Sequence, residues 1–374
     1  MKKLLWFILV TIIVSLMAVP LLASSEKGGK EAEVKYKIAY VCKIKTMDWF
    51  LNEEQGIKDF CAMNDDCEYV GGVDADMDIE AFLSGVDQMI AKGANALALV
   101  VPNPVIGPSI ADKAYAAGVK MVTIDDPFQD SEGNYVPHVG MNGVQAGNIA
   151  GEKAVDYMRA NGLDKKTDGS VHIYSMAIDQ IPPCKDRNDG FEEIMKRELK
   201  NWNWKRDYTR LDFSAGGAAI EDATNAAAQV IQANPDAKIW VVYGCDDSSA
   251  VGASLAMTER NMDTTSISIP QNGASPVITE WEKGNPYIKF SITQFAWVHG
   301  WLGAQILYDQ IVNGVDPKEV TYSPAIAITA EDAKAMYPDG NVTLGRPADM
   351  EDQIANKVAG KYYSLKDIKP DFKY

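Results

Sequence analysis

Short apolar runs alternate with amphipathic segments along the chain from Tyr36 onwards. The runs KIAYVCK, CEYVGGV, ALALVV and KMVTI have the length and the β-branched content of strands. The intervening segments WFLNEEQGIKDFCAMN and DIEAFLSGVDQMIAKG predict helices. In the second of these, Phe82, Val86 and Met89 recur on one helical face, and Gly93 follows where a C-cap is expected. The first part of the chain is therefore a repeated strand–helix unit.

The alternation continues in a second series that begins after the PHVGMNG segment and includes a helix predicted from Asp186 through Leu199. ALALVV and KMVTI are apolar throughout, which is typical of parallel strands buried on both faces. We therefore predict an α/β fold with two doubly wound parallel-sheet lobes. The chain then adds KFSITQ, the helix HGWLGAQILYDQIVNG and PKEVTYSPAIAIT, which are more elements than one open sheet accommodates. We expect these elements to cross between the lobes again.

The acidic balance of the chain excludes one class of partner. Its 374 residues include 36 Lys and Arg against 52 Asp and Glu, which gives a formal net charge of −16. Binding to nucleic acid needs a basic surface that contacts the phosphates. We therefore expect no nucleic-acid partner.

The first residues have the pattern of an export signal. Two lysines precede an uncharged run from Leu4 to Ala23, and small residues and a charged stretch follow it. An uncleaved membrane anchor has a similar length, but Pro20 and the small residues favour cleavage, which we place near Ala23. We therefore predict a signal peptide over residues 1–23 and a mature protein in the periplasm.

Cysteine and histidine are too sparse for a disulfide scaffold or a zinc site. The five cysteines and three histidines show no C-x-x-C or H-E-x-x-H spacing. We expect neither a metal nor a cofactor, and we assign structural roles to His138, His172 and His299. Cys61 and Cys67 flank a polar turn, and their spacing leaves open whether they form a disulfide or remain thiols.

Polar side chains follow the predicted strands at the edge where ligands of open α/β sheets bind. Asp and Asn often cap the next helix at such positions, and we assign that role to Asp247, which precedes Ser248 and Ser249. The other side chains mix carboxylates, which accept hydrogen bonds, with Lys43 and Arg187, which donate them. This mixture suits a neutral ligand with many hydroxyls, such as a sugar. The residues that follow strands are Lys43, Asn103, Asp125, Asp126, Asp246, Asp247 and Asn272.

The apolar face of a sugar ring also needs a flat partner. Trp49 and Phe50 follow the first predicted strand, and each either contacts the ligand or fills the core. We expect Phe50 to belong to the core and Trp49 to face the ligand.

Eight segments in order along the chain resemble those of the periplasmic sugar-binding proteins of ABC importers, most of all the arabinose-binding members. The segments are VCKIKTMDWF, LVVPNP, VTIDDPF, VPHVGMNG, RNDGF, YGCDDSSAVG, PQNGASPV and SITQ. The resemblance covers about Tyr36 to Thr329. It implies two lobes joined by three crossing segments, a monomer that closes over a monosaccharide, and an ABC permease as partner. The implied lobes comprise residues 34–140 with 295–323, and residues 141–294 with 324–374.

The resemblance also implies a ligand site, residue by residue. Met141 corresponds to a methionine near the ligand in arabinose-binding members, and Gln294 to a crossover glutamine that contacts the sugar in ribose-binding members. The implied ligand-binding residues are Lys43, Trp49, Asp125, Asp126, Met141, Arg187, Asp246, Asn272 and Gln294.

Two positions depart from the arabinose-binding pattern. Met47 stands where those members have a glutamate, and Asp246 stands where they have an asparagine. One hydrogen-bond acceptor is lost beside Lys43, and one is gained beside Asn272. Arabinose, another pentose, a hexose and a polyol all remain open as ligands.

The sequence leaves two further functions to consider. The same lobes could present their ligand to a membrane signalling sensor instead of a permease. An enzyme could use Asp125 or Asp126 as nucleophile or acid, because adjacent carboxylates can differ in pKa. However, the sequence contains no P-loop, G-x-S-x-G elbow or dinucleotide fingerprint. We therefore predict a receptor that is not an enzyme.

Overall fold

The computed structural model describes residues 35–212, 219–323 and 325–336. The predicted signal peptide over residues 1–23 lies outside the described residues, as does the C-terminal segment from Pro338 to Tyr374. Within the described residues, every helix is too short or too polar to cross a bilayer.

Strands and helices alternate along most of the chain. In chain order the elements are β1 (Tyr36–Cys42), α1 (Asp48–Ala62), β2 (Cys67–Asp74), α2 (Ile79–Ala91), β3 (Ala96–Val100), α3 (Gly107–Ala116), β4 (Lys120–Ile124), β5 (His138–Met141), α4 (Gly143–Ala160), β6 (Val171–Ala177), α5 (Pro182–Glu198), β7 (Tyr208–Asp212), α6 (Ile220–Ala233), β8 (Ile239–Gly244), α7 (Asp247–Glu259), β9 (Ile267–Ile269), β10 (Gln271–Asn272), α8 (Ser275–Glu282), β11 (Ser291–Thr293), α9 (Ala296–Val312), β12 (Val320–Ser323), β13 (Ile326–Ile328) and α10 (Ala330–Met336).

The described strands form three sheets. The first has the strand order β2–β1–β3–β4–β5–β12 and is parallel throughout. The second, β7–β6–β8–β9, is also parallel. The third is small, with β11 parallel to β10 and antiparallel to β13. We refer to the first sheet with its helices as the first lobe and to the second sheet with its helices as the second lobe.

Apolar side chains cover both faces of each large sheet. Successive residues of a strand point to opposite faces, so the fully buried Tyr40 and Val41 belong to two different core clusters. In the second lobe, the adjacent Ile173 and Tyr174 likewise belong to two different core clusters. This two-sided burial explains why the strands are continuously apolar, and the predicted α/β fold with two doubly wound lobes is confirmed.

The small sheet connects the two lobes. Ile328 of β13 packs in the core of the first lobe, whereas Ile292 of β11 packs in the core of the second. The chain leaves the first sheet after β5, returns with α9 and β12, and then reaches β13 of the small sheet. The expected crossings are therefore present.

The cysteines occur in two chemical states. Cys61, near the C-terminal end of α1, forms a disulfide with Cys67 at the start of β2. Cys42, Cys184 and Cys245 are buried free thiols. The sequence left open whether Cys61 and Cys67 are thiols or a disulfide, and the structure shows the disulfide.

Helices α4 and α5 pack with their backbones in contact because glycine lies at the crossing point. A Cβ atom added at Gly147 would lie 1.9 Å from the carbonyl oxygen of Arg187. Any larger residue at position 147 must therefore push the two helices apart. The close approach fixes the position of Arg187, one of the predicted ligand-binding residues.

We predict that G147A lowers the free energy of unfolding by about 2 kcal/mol, because overpacking a tight contact forces the backbone to shift. Urea unfolding of the two proteins measures the difference. The control is E152A at an exposed position of the same helix, which should change stability by less than about 0.5 kcal/mol. Equal stability of G147A and wild type would show that the crossing tolerates a methyl group.

Candidate functional site

A cavity of about 880 Å³ lies where strand ends of the two lobes meet. Its volume is within the range of small-molecule sites. Eight of the nine predicted ligand-binding residues line it, together with Met47 and Phe50. The eight are Lys43, Trp49, Asp125, Asp126, Met141, Arg187, Asp246 and Asn272.

Gln294 is the predicted residue that does not line the cavity. It lies between β11 and α9 with 3% of its surface exposed. Both polar atoms of its side-chain amide are buried and lack a hydrogen-bond partner. Contact between Gln294 and a ligand therefore stays a prediction.

Lys43 and Asp126 form an ion pair in the wall of the cavity. The Lys43 Nζ lies 2.5 Å from a carboxylate oxygen of Asp126 and 5.4 Å from the ring centre of Phe50. Burial raises the pKa of Asp126, although Lys43 stabilises its charged form. Phe50 is 6% exposed and belongs to the first-lobe core, as expected. The pair offers a donor and an acceptor side by side.

Asp125 is held by hydrogen bonds to both of its oxygens. The indole of Trp49 donates to one oxygen at 2.6 Å, and Nδ1 of His299 lies 2.8 Å from the other. Its backbone φ is +61°, a left-handed conformation that is uncommon outside glycine. Burial opposes its ionisation, but the charge of His299 and the hydrogen bonds lower the pKa of Asp125 to about 2. A fixed anionic acceptor results.

Arg187 reaches the cavity from helix α5 and is 4% exposed. One guanidinium nitrogen donates to the carbonyl oxygen of Cys245 at 2.7 Å, and another contacts the sulfur of Met141. Its Nε is buried without a partner. The helix begins at Pro182, four residues before the predicted start at Asp186, because the fixed φ of proline fits the first turn of a helix.

The structure reverses the role that the sequence analysis gave to Asp247. Asp246 is the N-cap of helix α7, and its side chain accepts from the backbone N–H of Ser249 at 2.8 Å. Asp247 is instead buried, and it accepts from the backbone N–H groups of Gly273 and Ala274 at 3.1 and 2.7 Å. The prediction that Asp247 caps the helix was therefore wrong, because the helix begins one residue earlier than expected.

Asn272 ends strand β10 in a constrained conformation. Its φ is +117°, and its side-chain oxygen is buried without a partner. The hydroxyl of Thr293 donates to the Asn272 carbonyl oxygen, and Asp247 holds the next two residues. Asn103, in contrast, is exposed, caps a short 3₁₀ helix by accepting from the backbone N–H of Val105, and is not among the residues that line the cavity.

Sequence reasoning missed the buried side chains behind Asp125. Among the residues that the structure describes, Glu53, Asp125 and His299 form one group with potential metal-ligand atoms within 4.8 Å of one another. Trp49 and Glu53 are four residues apart, which places them on one face of α1. Nothing in the sequence pairs His299 with Asp125, which lies 174 positions away. Asp125 and His299 are hydrogen-bonded to each other, and Trp49 and Ser323 extend this network on either side. Glu53 is held beside it by the hydroxyl of Tyr40.

The family of the chain follows from comparison with known proteins. A family model described as a periplasmic binding protein domain matches residues 38–314. The chain belongs to this family. The resemblance seen in the sequence is thereby confirmed, and with it the expectation of a binding protein instead of an enzyme.

One relative and two solved structures match most of this periplasmic binding protein. An ABC transporter L-arabinose-binding periplasmic protein from Azospirillum brasilense is 27% identical over 316 residues, which are 83% of this chain and 91% of that protein. A periplasmic ribose ABC transporter structure from Conexibacter woesei DSM 14684 matches with a TM-score of 0.64 and 13% identity, over 83% of this chain and 97% of the other. An arabinose-binding protein from Geobacillus stearothermophilus matches with a TM-score of 0.61 and 18% identity, over 80% and 98%. These two structures share the fold of this chain.

Proposed function

We propose that this protein captures a monosaccharide, either a pentose such as arabinose or a related hexose, and delivers it to an ABC permease. One observation carries the proposal: acceptor carboxylates and donor cations line the same cavity between the lobes. The Azospirillum relative, named as an arabinose-binding protein of an ABC transporter, supports both the ligand class and the partner.

The chemistry of the cavity matches a neutral polyhydroxylated ring. A hydroxyl donates one hydrogen bond and accepts others, so it is satisfied by a carboxylate together with a Lys, Arg or Asn donor. Lys43 with Asp126, and Arg187 with Asp246, supply such combinations from the two lobes. The indole N–H of Trp49 donates to Asp125, and this hydrogen bond fixes the orientation of the ring at the cavity wall. An aromatic ring held in this way can pack against the apolar face of a sugar.

The ring-binding pattern differs from that of the arabinose-binding members. Met47 and Asp246, the two positions of departure, both line the cavity. Met47 is 55% exposed and provides no charged acceptor near Lys43. Asp246 uses its side chain to cap α7 while bordering the cavity. We propose that these positions set which pentose or hexose the protein prefers.

Closure of the lobes is the proposed mechanism. We propose that residues 34–140 with 295–323 form one lobe, and residues 141–294 with 324–374 the other, with Ile328 of the second group also packing against the core of the first lobe. Ligand that contacts the two lobes at once shifts the population towards the closed form, because only that form makes all the contacts. The permease recognises the closed form, and we propose that the protein acts as a periplasmic monomer released from a signal peptide.

Thermal melting with a panel of sugars tests the proposal. Arabinose, ribose, xylose, galactose, glucose, fucose and polyols are added to protein stripped of co-purified ligand. At a concentration 1,000 times its dissociation constant, the true ligand should add about 4 kcal/mol to stability and raise the Tm by several degrees. If no member of the panel shifts the Tm, the monosaccharide proposal fails.

A further inference from the structure

A fully buried carboxyl group, that of Glu53, lies behind the cavity beside Asp125, which lines it. Glu53 is fully buried on helix α1, and its Oε2 accepts a hydrogen bond of 2.7 Å from the hydroxyl of Tyr40. Its Oε1 is also buried, lies 3.9 Å from Nδ1 of His299, and has no hydrogen-bond partner. Asp125 is the adjacent carboxylate, already bonded by Trp49 and His299.

The surroundings supply too few donors for two ionised carboxylates. Oxygen atoms of Glu53 and Asp125 lie within 4.8 Å of each other. Two negative charges that close repel each other strongly in a buried site. The imidazole of His299 supplies at most one positive charge for the two carboxyl groups. Its Nδ1 bonds Asp125, and its other nitrogen lies 2.6 Å from the hydroxyl of Ser323. The cation of Lys43 pairs with Asp126. Oε1 of Glu53 is therefore left without a donor, and the carboxylate of Asp125 lies within 4.8 Å of the Glu53 carboxyl group.

A proton on Glu53 resolves this conflict. A protonated carboxyl group has one O–H donor, whereas a carboxylate has none. The proton removes one of the two charges and turns the unpartnered oxygen into a donor directed at Asp125. Tyr40 can still donate to the other oxygen of the same group.

We propose that Glu53 is a neutral carboxylic acid that donates a hydrogen bond to Asp125 and so positions Asp125 to accept from the ligand. The positioning role rests on the proposed sugar-binding function, but the protonation state does not. Burial, and then the charge of Asp125, raise the pKa of Glu53 well above its ordinary value. This direction agrees with the geometry.

The next residue on the helix provides a matched comparison. Glu54 is also buried, but Lys45 lies 2.6 Å and Lys58 3.4 Å from its oxygens, and Tyr69 donates to it. Burial opposes its ionisation, yet these partners lower the pKa of Glu54. Two adjacent glutamates on one helix are thus expected to differ in charge.

Infrared spectroscopy tests the protonation state directly. The full-length mature protein is measured at pH 8, where Asp247, with a pKa of about 7, is mostly ionised. We expect E53Q to lose a carbonyl band of a protonated carboxylic acid that wild type and E54Q retain. Identical acid bands in E53Q and wild type would overturn the proposal, whether or not any sugar binds.

Affinity measurements test the positioning role. In E53Q the amide can donate to Asp125 and accept from Tyr40, so affinity for the sugar found by melting should stay within about threefold of wild type. E53A has neither group, and its affinity should fall about tenfold or more. If E53Q loses as much affinity as E53A while both remain folded, Glu53 does not act as a neutral donor.

A bound cation would be a different solution to the same charge problem. Wild type and E53Q are melted before and after dialysis against a chelator, and after addition of Zn²⁺ alone. We expect neither protein to respond. A Tm that falls on chelation and recovers with Zn²⁺ in wild type but not in E53Q would overturn the proposal in favour of a metal at Glu53, Asp125 and His299.

Discussion

Replacing Arg187 by alanine is expected to weaken sugar binding about a hundredfold. Arg187 is buried at the cavity, and its Nε has no partner within the protein. Removing one member of a buried charged contact costs about 2–5 kcal/mol, because the other groups remain desolvated without a partner. Since about 1.4 kcal/mol corresponds to tenfold in affinity, the loss is large. Isothermal titration of R187A with the sugar identified by melting measures it.

Two further variants separate recognition from general damage. R210A removes another second-lobe arginine, which pairs with Asp179, Asp189 and Glu192 away from the cavity lining. R210A should lower the free energy of unfolding and leave the affinity for the sugar unchanged. R187K keeps the charge but loses the fork of donors, so it should bind more weakly than wild type and more tightly than R187A. If R187A bound the sugar as tightly as wild type, Arg187 would not be a ligand-binding residue.

The alanine variant of Asp247 is expected to lose about 3 kcal/mol of stability and about tenfold in affinity. The N–H groups of Gly273 and Ala274 would be left without their acceptor, and each buried unsatisfied group costs about 1–3 kcal/mol. These residues follow Asn272 directly, so the loss also releases a side chain that lines the cavity. Urea unfolding and sugar titration of D247A measure the two effects.

The pH dependence of D247A gives a second signature. Burial raises the pKa of Asp247 from 3.8 to about 7, against the effect of its two backbone hydrogen bonds. The folded protein thus binds a proton more tightly than the unfolded chain. The corresponding stability is complete below about pH 4 and is lost as the pH rises towards 7, with a slope of about 1.4 kcal/mol per pH unit. D247A should lack this slope.

The control for Asp247 is a helix cap without a role in the cavity. Asp78 caps helix α2 by accepting from the backbone N–H of Ala81. D78A should lose about 1 kcal/mol and retain full affinity. If D247A behaved like D78A in stability, affinity and pH dependence, Asp247 would be no more than a cap.

The fold could be predicted because burial leaves a direct record in the sequence. A strand buried on both faces has no polar alternation, and the residues of ALALVV and KMVTI show this pattern by themselves. The amphipathic period of DIEAFLSGVDQMIAKG places helix α2 at Ile79–Ala91, with Lys92 as its C-cap and a left-handed Gly93 after it. Patterns of this kind involve only neighbouring residues, so they can be recognised without knowing how the elements pack together.

The details of the site depend on contacts that local patterns do not record. Asp246 and Asp247 have the same side chain, so the sequence does not show which of them caps helix α7. A shift of one residue in the start of the helix decides which one is the cap and which one is buried against Gly273. The network of Glu53, Asp125 and His299 joins helix α1, the end of β4 and helix α9. Its members meet only after the chain has returned to the first lobe, so each appears isolated in the sequence.

The left-handed backbone at Asp125 restricts how this protein can evolve. With φ at +61°, the position accepts Asp, Asn or Gly, whereas most larger or β-branched side chains would be strained there. Natural variants can therefore remove the carboxylate charge, but few can enlarge the side chain. Shifts in ligand preference within a lineage are expected to arise at tolerant positions such as the exposed Met47, while the side chain at position 125 stays small as ligands change.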